Sequence, residues 1–201
     1  MFEAIFILAV LFFSIVIHEI AHGSVALFLG DDTAKIAGRL TLNPISHIDP
    51  IGTIFLPLTL FILTFGKGPI FGWAKPVPVN HLNLRDQRWG MVKVSLAGPA
   101  TNLLIAVFFS ILANFNFPAS MLEFFRIISI YNFAWAFFNL LPFYPLDGFH
   151  ILSQVLPEKF SQFKIFINQY GFLILLFIIF FGLSTIFYLS SFIFNLLSNL
   201  F

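Results

Sequence analysis

The sequence contains no cysteine and few charged residues. The 201-residue chain has no Cys, which excludes disulfides, cysteine-ligated zinc and a thiol nucleophile. Only 9% of its residues are charged and the formal net charge is +1, so we expect no nucleic-acid partner. In contrast, 59% of the residues are hydrophobic and 31 are Phe. This composition is typical of an integral membrane protein, whose surroundings are the lipid bilayer.

Long apolar runs divide the chain and predict its helices. The runs cover residues 4–29, 51–66, 91–114, 123–141 and 171–198. Four of them are long enough to be membrane-spanning helices, which need roughly 17–25 residues. The run 51–66 is shorter and contains Pro57, so we expect a re-entrant segment that dips into the bilayer without crossing it. The start Met1-Phe2-Glu3 lacks the basic residues of a signal peptide, and we expect the first run to be retained.

Two connecting stretches differ from the helical runs. Residues 34–44 alternate in polarity and contain Gly and Pro, which predicts a short β-hairpin or an extended loop. Residues 72–79 are rich in Pro and are expected to be extended. Either stretch could offer an edge to which a substrate strand adds. The sequence shows no internal repeat and no second domain, so we expect residues 1–201 to form one all-α polytopic membrane domain.

The basic residues predict the orientation of this domain. They lie in the connections at Lys35, Arg39, Lys67, Lys75, Arg85, Arg88, Lys93, Lys159 and Lys164, with Arg126 apart from them. The connector 115–122 carries no charge. If 51–66 re-enters, every basic connection faces one side, which the positive-inside rule makes the cytoplasm. If it crosses, the basic connections face opposite sides. We favour re-entry, with four crossings, in the cell membrane.

The most informative local feature is a polar motif inside the first apolar run. It reads His18-Glu19-Ile20-Ala21-His22. A charged residue at this depth costs roughly 2.5–3.5 kcal/mol, which favours a chemical role over a packing role. Four residues along a helix bring both imidazoles to one face. This spacing binds zinc, and the Glu between the two His residues can act as a general base.

A catalytic zinc site needs a third protein ligand. No Glu lies between 20 and 122, and the position six residues after His22 is Phe28. Asp147 is the best candidate, because the prolines and glycine around it unwind the chain at the end of the run 123–141. Unwound backbone at membrane depth is tolerated where it lines a polar cavity.

Other interpretations of these polar residues remain open. Asp147 could instead be an ordinary Asp-Gly turn residue. His150 is an alternative ligand. His47 and Asp49 could form a second metal site, although we expect them to stabilise the turn 43–50.

Three motifs occur in a fixed order along the chain. They are His18 to His22, then Ala97-Gly98-Pro99-Ala100-Thr101-Asn102, then the segment 139–148 that reads Asn-Leu-Leu-Pro-Phe-Tyr-Pro-Leu-Asp-Gly. Together they resemble the site-2 protease family of intramembrane zinc metalloproteases, over about residues 4–155. No PDZ or nucleotide-sensing domain is present in the sequence, so the chain is similar to the compact prokaryotic branch.

The resemblance implies a specific set of roles. It implies three core helices around one zinc ion, held by His18, His22 and Asp147 near the cytoplasmic side, with Glu19 as catalytic base. It implies that Asn139 holds the substrate strand or the developing oxyanion. Asn102 is expected to bind substrate as well, although both asparagines have a structural alternative, a cap for Asn139 and an interhelical hydrogen bond for Asn102.

The function implied is that of a zinc metalloendopeptidase. Its partners would be membrane-protein substrates, cleaved in or near their membrane-spanning segments, as in regulated intramembrane proteolysis. A metal transporter is one alternative, but it would need ionisable residues on several spans. A non-catalytic membrane scaffold that keeps the motif is another, and the intact Glu19 argues against it.

Overall fold

The chain folds into a helical bundle. The computed structural model describes residues 2–65 and 72–200, and in that part of the chain no β-strand forms. The helices are α1 (Phe2–Phe28), α2 (Thr33–Ile36), α3 (Leu56–Leu63), α4 (Gly90–Leu112), α5 (Ala119–Asn139), α6 (Asp147–Val155), α7 (Ser161–Phe181) and α8 (Leu183–Leu197). Four segments are long and apolar enough to cross a membrane: Ile5–Phe28, Gly90–Leu112, Ala119–Asn139 and Glu158–Phe181. The predicted all-α polytopic fold is therefore confirmed.

A buried polar chain joins α1, α4 and α5 into the core. The side-chain amide of Asn102 on α4 donates to the Ser14 carbonyl on α1 at 3.2 Å and to Asn132 Oδ1 on α5 at 2.8 Å. Both asparagines are almost fully buried. Ser129 on α5 donates to the Ala106 carbonyl on α4 at 3.0 Å. Because Asn102 pairs with Asn132 and the later residue Ala106 pairs with the earlier residue Ser129, the two helices run antiparallel. Close packing of small residues with polar cross-links is how helices associate where lipid replaces water.

A short helical segment, residues 50–63, corresponds to the apolar run that is predicted to re-enter. A six-residue π-helix, Pro50–Phe55, leads into the eight-residue α3. Together they rise about 20 Å, less than the roughly 30 Å of a bilayer core. Trp73, which follows this segment in the sequence, lies beside its start, since the backbone N–H of Trp73 donates to the Gly52 carbonyl at 3.2 Å. Gly52 and Trp73 therefore lie on the same side of the bundle, which supports the prediction that the run 51–66 re-enters.

The hairpin predicted for residues 34–44 does not form. The first residues of this stretch belong to the one-turn helix α2, and Ala37 N–H and Arg39 N–H donate to the carbonyls of Thr33 and Ala34. Ala34 is fully buried, so packing favours a helical turn over an alternating strand. The remainder of the stretch is loop, as the alternative prediction allowed. Residues 72–80 form neither helix nor strand, which agrees with their proline content.

The apolar run 171–198 is predicted to be one membrane-spanning helix, but the structure divides it between two helices. The helix α7 starts earlier, at Ser161, and ends at Phe181, and Gly182 separates it from α8. Glycine is a poor helix former, and Gly182 is followed by the polar residues Ser184 and Thr185, so the sequence is least favourable to a continuous helix at this point. The fourth candidate span is accordingly Glu158–Phe181, and α8 packs against α5 through Phe187 and Tyr131, whose ring centroids lie 5.2 Å apart.

Candidate metal centre

Three side chains from distant parts of the sequence meet inside the bundle. His18 Nε2 and His22 Nε2 on α1 lie 3.0 Å and 3.3 Å from Asp147 Oδ2. Among the described residues, this is the one group of three His, Cys or acidic side chains whose ligand atoms all lie within 4.8 Å of one another. His150 does not belong to it.

Tight turns between α5 and α6 carry Asp147 to this position. Phe143 N–H donates to the Leu141 carbonyl and Leu146 N–H to the Phe143 carbonyl, both at 2.9 Å. Leu146 is buried and Asp147 is the first residue of α6. The prolines of this stretch prevent α5 from continuing, so the chain reverses toward α1.

Hydrogen bonds on the far sides of the two imidazoles fix which nitrogen faces Asp147. His22 Nδ1 lies 2.7 Å from the Val94 carbonyl, which can only accept, so Nδ1 carries the proton. His18 Nδ1 lies 2.6 Å from Asn102 Oδ1 and donates to it, because the amide nitrogen of Asn102 already donates to Ser14 and Asn132. In their neutral form, the two imidazoles therefore present the lone pairs of both Nε2 atoms to the centre of the cluster.

The cluster fits a divalent cation. Asp147 Oδ2 is buried and has no hydrogen-bond partner in the described part of the chain, although two imidazole nitrogens lie within 3.3 Å of it. Lone pairs facing a buried carboxylate without a proton between them are unfavourable, and a cation at their centre removes this cost. Two imidazoles and one carboxylate form a donor set of catalytic zinc sites, in which the fourth position is left for water or substrate.

Gly98 forms the wall of the cluster on the α4 side. A Cβ atom at this position would lie 2.5 Å from His22 Nε2 and 2.6 Å from His18 Nε2. No side chain fits there without displacing both histidines. The sequence resemblance places Gly98 in the middle-helix motif, and the structure adds that this glycine makes room for the two ligand nitrogens.

Glu19 lies between the two histidines on α1 and is partly exposed. Its Oε2 accepts a hydrogen bond of 2.7 Å from the backbone N–H of Val77. Val77 belongs to the segment between α3 and α4, whose residues 72–78 we call the strap. The carboxylate is therefore bound by the strap, on the helix that also carries the two histidine ligands.

The two asparagines predicted to contact substrate occupy different environments. Asn102 is fully buried and both of its amide atoms bond within the protein, so it orients His18 from behind. These bonds agree with the interhelical alternative, and a contact between Asn102 and substrate stays a prediction. Asn139 is the last residue of α5, and its side-chain amide donates to the Trp135 carbonyl at 2.9 Å. Its catalytic role stays a prediction.

The other candidate metal site resolves into turn contacts. Asp49 Oδ1 accepts from the N–H groups of Ile51 and Gly52 at 2.9 Å and 2.7 Å, which caps the π-helix. His47 Nε2 lies 2.8 Å from the Thr41 carbonyl. These contacts confirm that both residues stabilise the local turn.

Three residues around the site were missed by sequence reasoning. Asn132 extends the chain from His18 through Asn102, and its amide in an apolar run was the signal that could have found it. Val77 and Val94 act through backbone groups, which their side chains do not reveal.

Comparisons with known proteins agree with this geometry. The family model described as "Peptidase family M50" matches residues 117–178. The chain is 40% identical over 181 residues to "Putative zinc metalloprotease YwhC" of Bacillus subtilis, covering 85% of this chain and 78% of that protein. It is 30% identical over 164 residues to "Putative zinc metalloprotease Rip2" of Mycolicibacterium smegmatis, covering 80% of this chain and 61% of that protein. No solved structure shows a significant match.

The fold, the site and these relatives together define a multi-pass membrane zinc protease. Within that class, the chain belongs to peptidase family M50, the site-2 protease family.

Proposed function

We propose that this protein is an intramembrane zinc endopeptidase that cleaves membrane-protein substrates in or near their membrane-spanning segments. The observation that carries the proposal is the place of the cluster. His18, His22 and Asp147 meet inside a bundle of apolar helices, and Glu19 lies on the same helix as the two histidines. A peptide bond that reaches this cluster comes from a chain that is itself in the membrane or at its surface. Regulated intramembrane proteolysis is the process that such a site would serve.

The residues divide the chemistry between them. His18, His22 and Asp147 would hold one zinc ion, which, when bound, supplies a nucleophile at neutral pH and polarises a carbonyl. Glu19 accepts the proton of the attacking water and delivers it to the leaving amine. Asn139 is proposed to hold the substrate strand or the developing oxyanion. A substrate helix must unwind locally, because its scissile carbonyl is otherwise hydrogen-bonded within the helix.

We further propose that the site faces the cytoplasm. The cluster lies toward the carboxyl end of α1, and the loop that follows this helix carries Lys35 and Arg39. The uncharged connection between α4 and α5 lies at the opposite end of the bundle, as the antiparallel packing of these helices requires. This distribution supports the cytoplasmic assignment of the metal end.

A metal transporter is less well supported. The described residues contain one cluster of metal ligands, and its donors close on a single point instead of forming a series along the bundle. A transport path uses several ionisable groups at different depths.

A proteolysis assay in liposomes tests the proposed function. The probes are single-span proteins labelled at both ends, one with Gly and Pro residues in the middle of the span and one with an unbroken poly-Leu span. We expect cleavage of the first probe, inhibition by 1,10-phenanthroline, recovery on addition of zinc, and little cleavage of the second. Zinc flux across the liposome membrane without cleavage of either probe would overturn the proposal in favour of a transporter.

Removal of the carboxylate ligand tests the metal centre. We expect about one zinc ion per chain in the purified wild type and loss of zinc in Asp147→Ala, because a catalytic site needs three protein ligands. Mass spectrometry of the intact protein and elemental analysis measure the content. Asp86→Ala is the matched control, since Asp86 pairs with Lys93 at 2.6 Å outside the site. Equal zinc in Asp147→Ala and wild type would assign the third ligand elsewhere, with His150 the next residue to replace.

A further inference from the structure

The strap carries a single hydrogen-bond donor where it passes Glu19. Val77 N–H lies 2.7 Å from Glu19 Oε2, and both neighbours of Val77 are proline. Proline has no backbone N–H, so Val77 is the only donor in the segment 76–78. The two prolines also fix φ on either side of it, which reduces the freedom of the chain at the contact.

The side chain of Val77 is buried and packs closely against α1. It is 8% exposed, and its Cγ1 would lie 2.8 Å from a Cβ atom at Gly23. Gly23 follows Glu19 by one helical turn, on the same face of α1. The absence of a side chain at Gly23 lets the strap approach α1 closely enough for the amide of Val77 to reach Glu19.

Buried polar groups fasten the strap before Val77. Lys75 N–H donates to the His47 carbonyl at 3.0 Å, and the Lys75 carbonyl accepts from the guanidinium of Arg39. His47 is fully buried and Arg39 is 5% exposed. Burying polar groups of this kind is costly unless they are bonded, so these contacts resist displacement of the strap.

A buried carboxylate fastens the chain just after the strap. Asp31 is fully buried; its Oδ2 accepts from Asn80 N–H at 2.7 Å and its Oδ1 from the Asn83 side chain at 3.0 Å. Burial opposes the ionised form, but hydrogen bonds from Thr33, Asn80 and Asn83 outweigh it and lower the pKa of Asp31 below its usual value. Asp31 therefore remains an acceptor at neutral pH.

We propose that the strap is a positioning element for the general base, in which the amide of Val77 holds one oxygen of Glu19 and leaves the other for the attacking water. A carboxylate offers two equivalent oxygens on a rotatable side chain, and a fixed donor to one of them fixes the direction of the other. Pre-orientation of a reacting group lowers the activation barrier. The inference rests on the proposed function of Glu19 and adds a backbone group to it.

The same contacts change the expectation that the strap offers a free edge to a substrate strand. The carbonyls of Trp73 and Lys75 accept from Thr53 and Arg39, and the amide of Val77 is bound to Glu19. These backbone groups are already hydrogen-bonded within the protein, so they are not free to pair with a substrate strand.

Hydrogen exchange tests the contact without any measurement of activity. Within 76–78 only the amide of Val77 can exchange, so residue-resolved mass spectrometry reports on it alone. We expect Glu19→Ala to accelerate this exchange by about tenfold or more, and Glu19→Gln to retain protection because the Gln oxygen still accepts. The amide of Val79, which has no acceptor in the described part of the chain, is the internal control. Equal protection of Val77 in wild type and Glu19→Ala would overturn the proposal.

The kinetics of Val77→Pro test whether the hydrogen bond from the strap to Glu19 increases the rate of catalysis. Val77→Pro removes the donor, and we expect kcat to fall roughly 10- to 100-fold with unchanged KM and zinc content, since the hydrogen bond is to a charged group. Val79→Pro, outside the strap, is the matched control and should keep kcat. An unchanged or increased kcat in Val77→Pro would overturn the proposal, and an increase would show that the strap blocks the base. If the wild type cleaves no probe, the proposed function fails, while hydrogen exchange still decides whether the strap holds Glu19.

Discussion

Glu19→Gln is expected to abolish peptide hydrolysis while leaving zinc bound. Gln has nearly the shape of Glu but cannot accept the proton of the attacking water. General base catalysis contributes roughly 10²- to 10⁴-fold to a rate, so kcat should fall by at least that range. The ligands His18, His22 and Asp147 are untouched by the change. Cleavage of the interrupted single-span probe and zinc content are measured on the same preparation.

Glu123→Gln is the control for this variant. Glu123 lies on α5, is exposed, and pairs with Arg126 at 3.5 Å. It should retain both zinc and activity. A Glu19→Gln protein with near-normal turnover would remove Glu19 from the mechanism. Loss of zinc together with activity would show instead that Glu19 supports the metal site.

Gly98→Ala is expected to weaken zinc binding about 100-fold or more although it removes no ligand. The added methyl group would lie 2.5 Å from His22 Nε2 and 2.6 Å from His18 Nε2, well inside van der Waals contact. The two imidazoles would have to leave the positions that Asn102 and Val94 hold them in. Changes behind a metal ligand typically weaken affinity 10- to 100-fold, and a direct clash with two ligand atoms should cost about 100-fold or more.

Gly90→Ala is the matched substitution at the start of the same helix. A Cβ atom there meets the side chain of Leu84, at 3.0 Å, and not the metal cluster. This variant should bind zinc as the wild type does. Competition with a chelator of known affinity measures both variants. Normal zinc affinity in Gly98→Ala would mean that the bound metal is held with the histidines in another arrangement.

Features set by local spacing and hydropathy were predicted well. The helical period brings His18 and His22 to one face of α1, and the structure shows both Nε2 atoms directed at one point. The apolar run near Pro57 forms a short helix, as its length indicated, and its start lies beside Trp73, which supports the predicted re-entry. The prolines around Asp147 predicted the end of α5, and the helix does end at Asn139, before Asp147 begins α6.

Features that depend on competition between local structures were predicted less well. Alternating polarity in 34–44 indicated strands, but burial of Ala34 and hydrogen bonds between neighbours favour one helical turn. The run 171–198 is mostly apolar, and its mean hydropathy does not reveal the division into two helices at Gly182. The pattern of polar and apolar residues indicates which face of a segment is buried, but it does not select between a helical turn and a strand that would bury the same residue.

The sequence by itself determined the membrane setting, the zinc-binding motif on α1 and the candidate third ligand, because each depends on side-chain type and on distances measured along the chain. Only the tertiary structure decided how the site is supported. Asn102 lies behind His18 and bonds to its Nδ1. The groups that hold His22 and Glu19 are the carbonyl of Val94 and the amide of Val77. Every residue carries such backbone groups, so their selection depends on which segments the fold brings together.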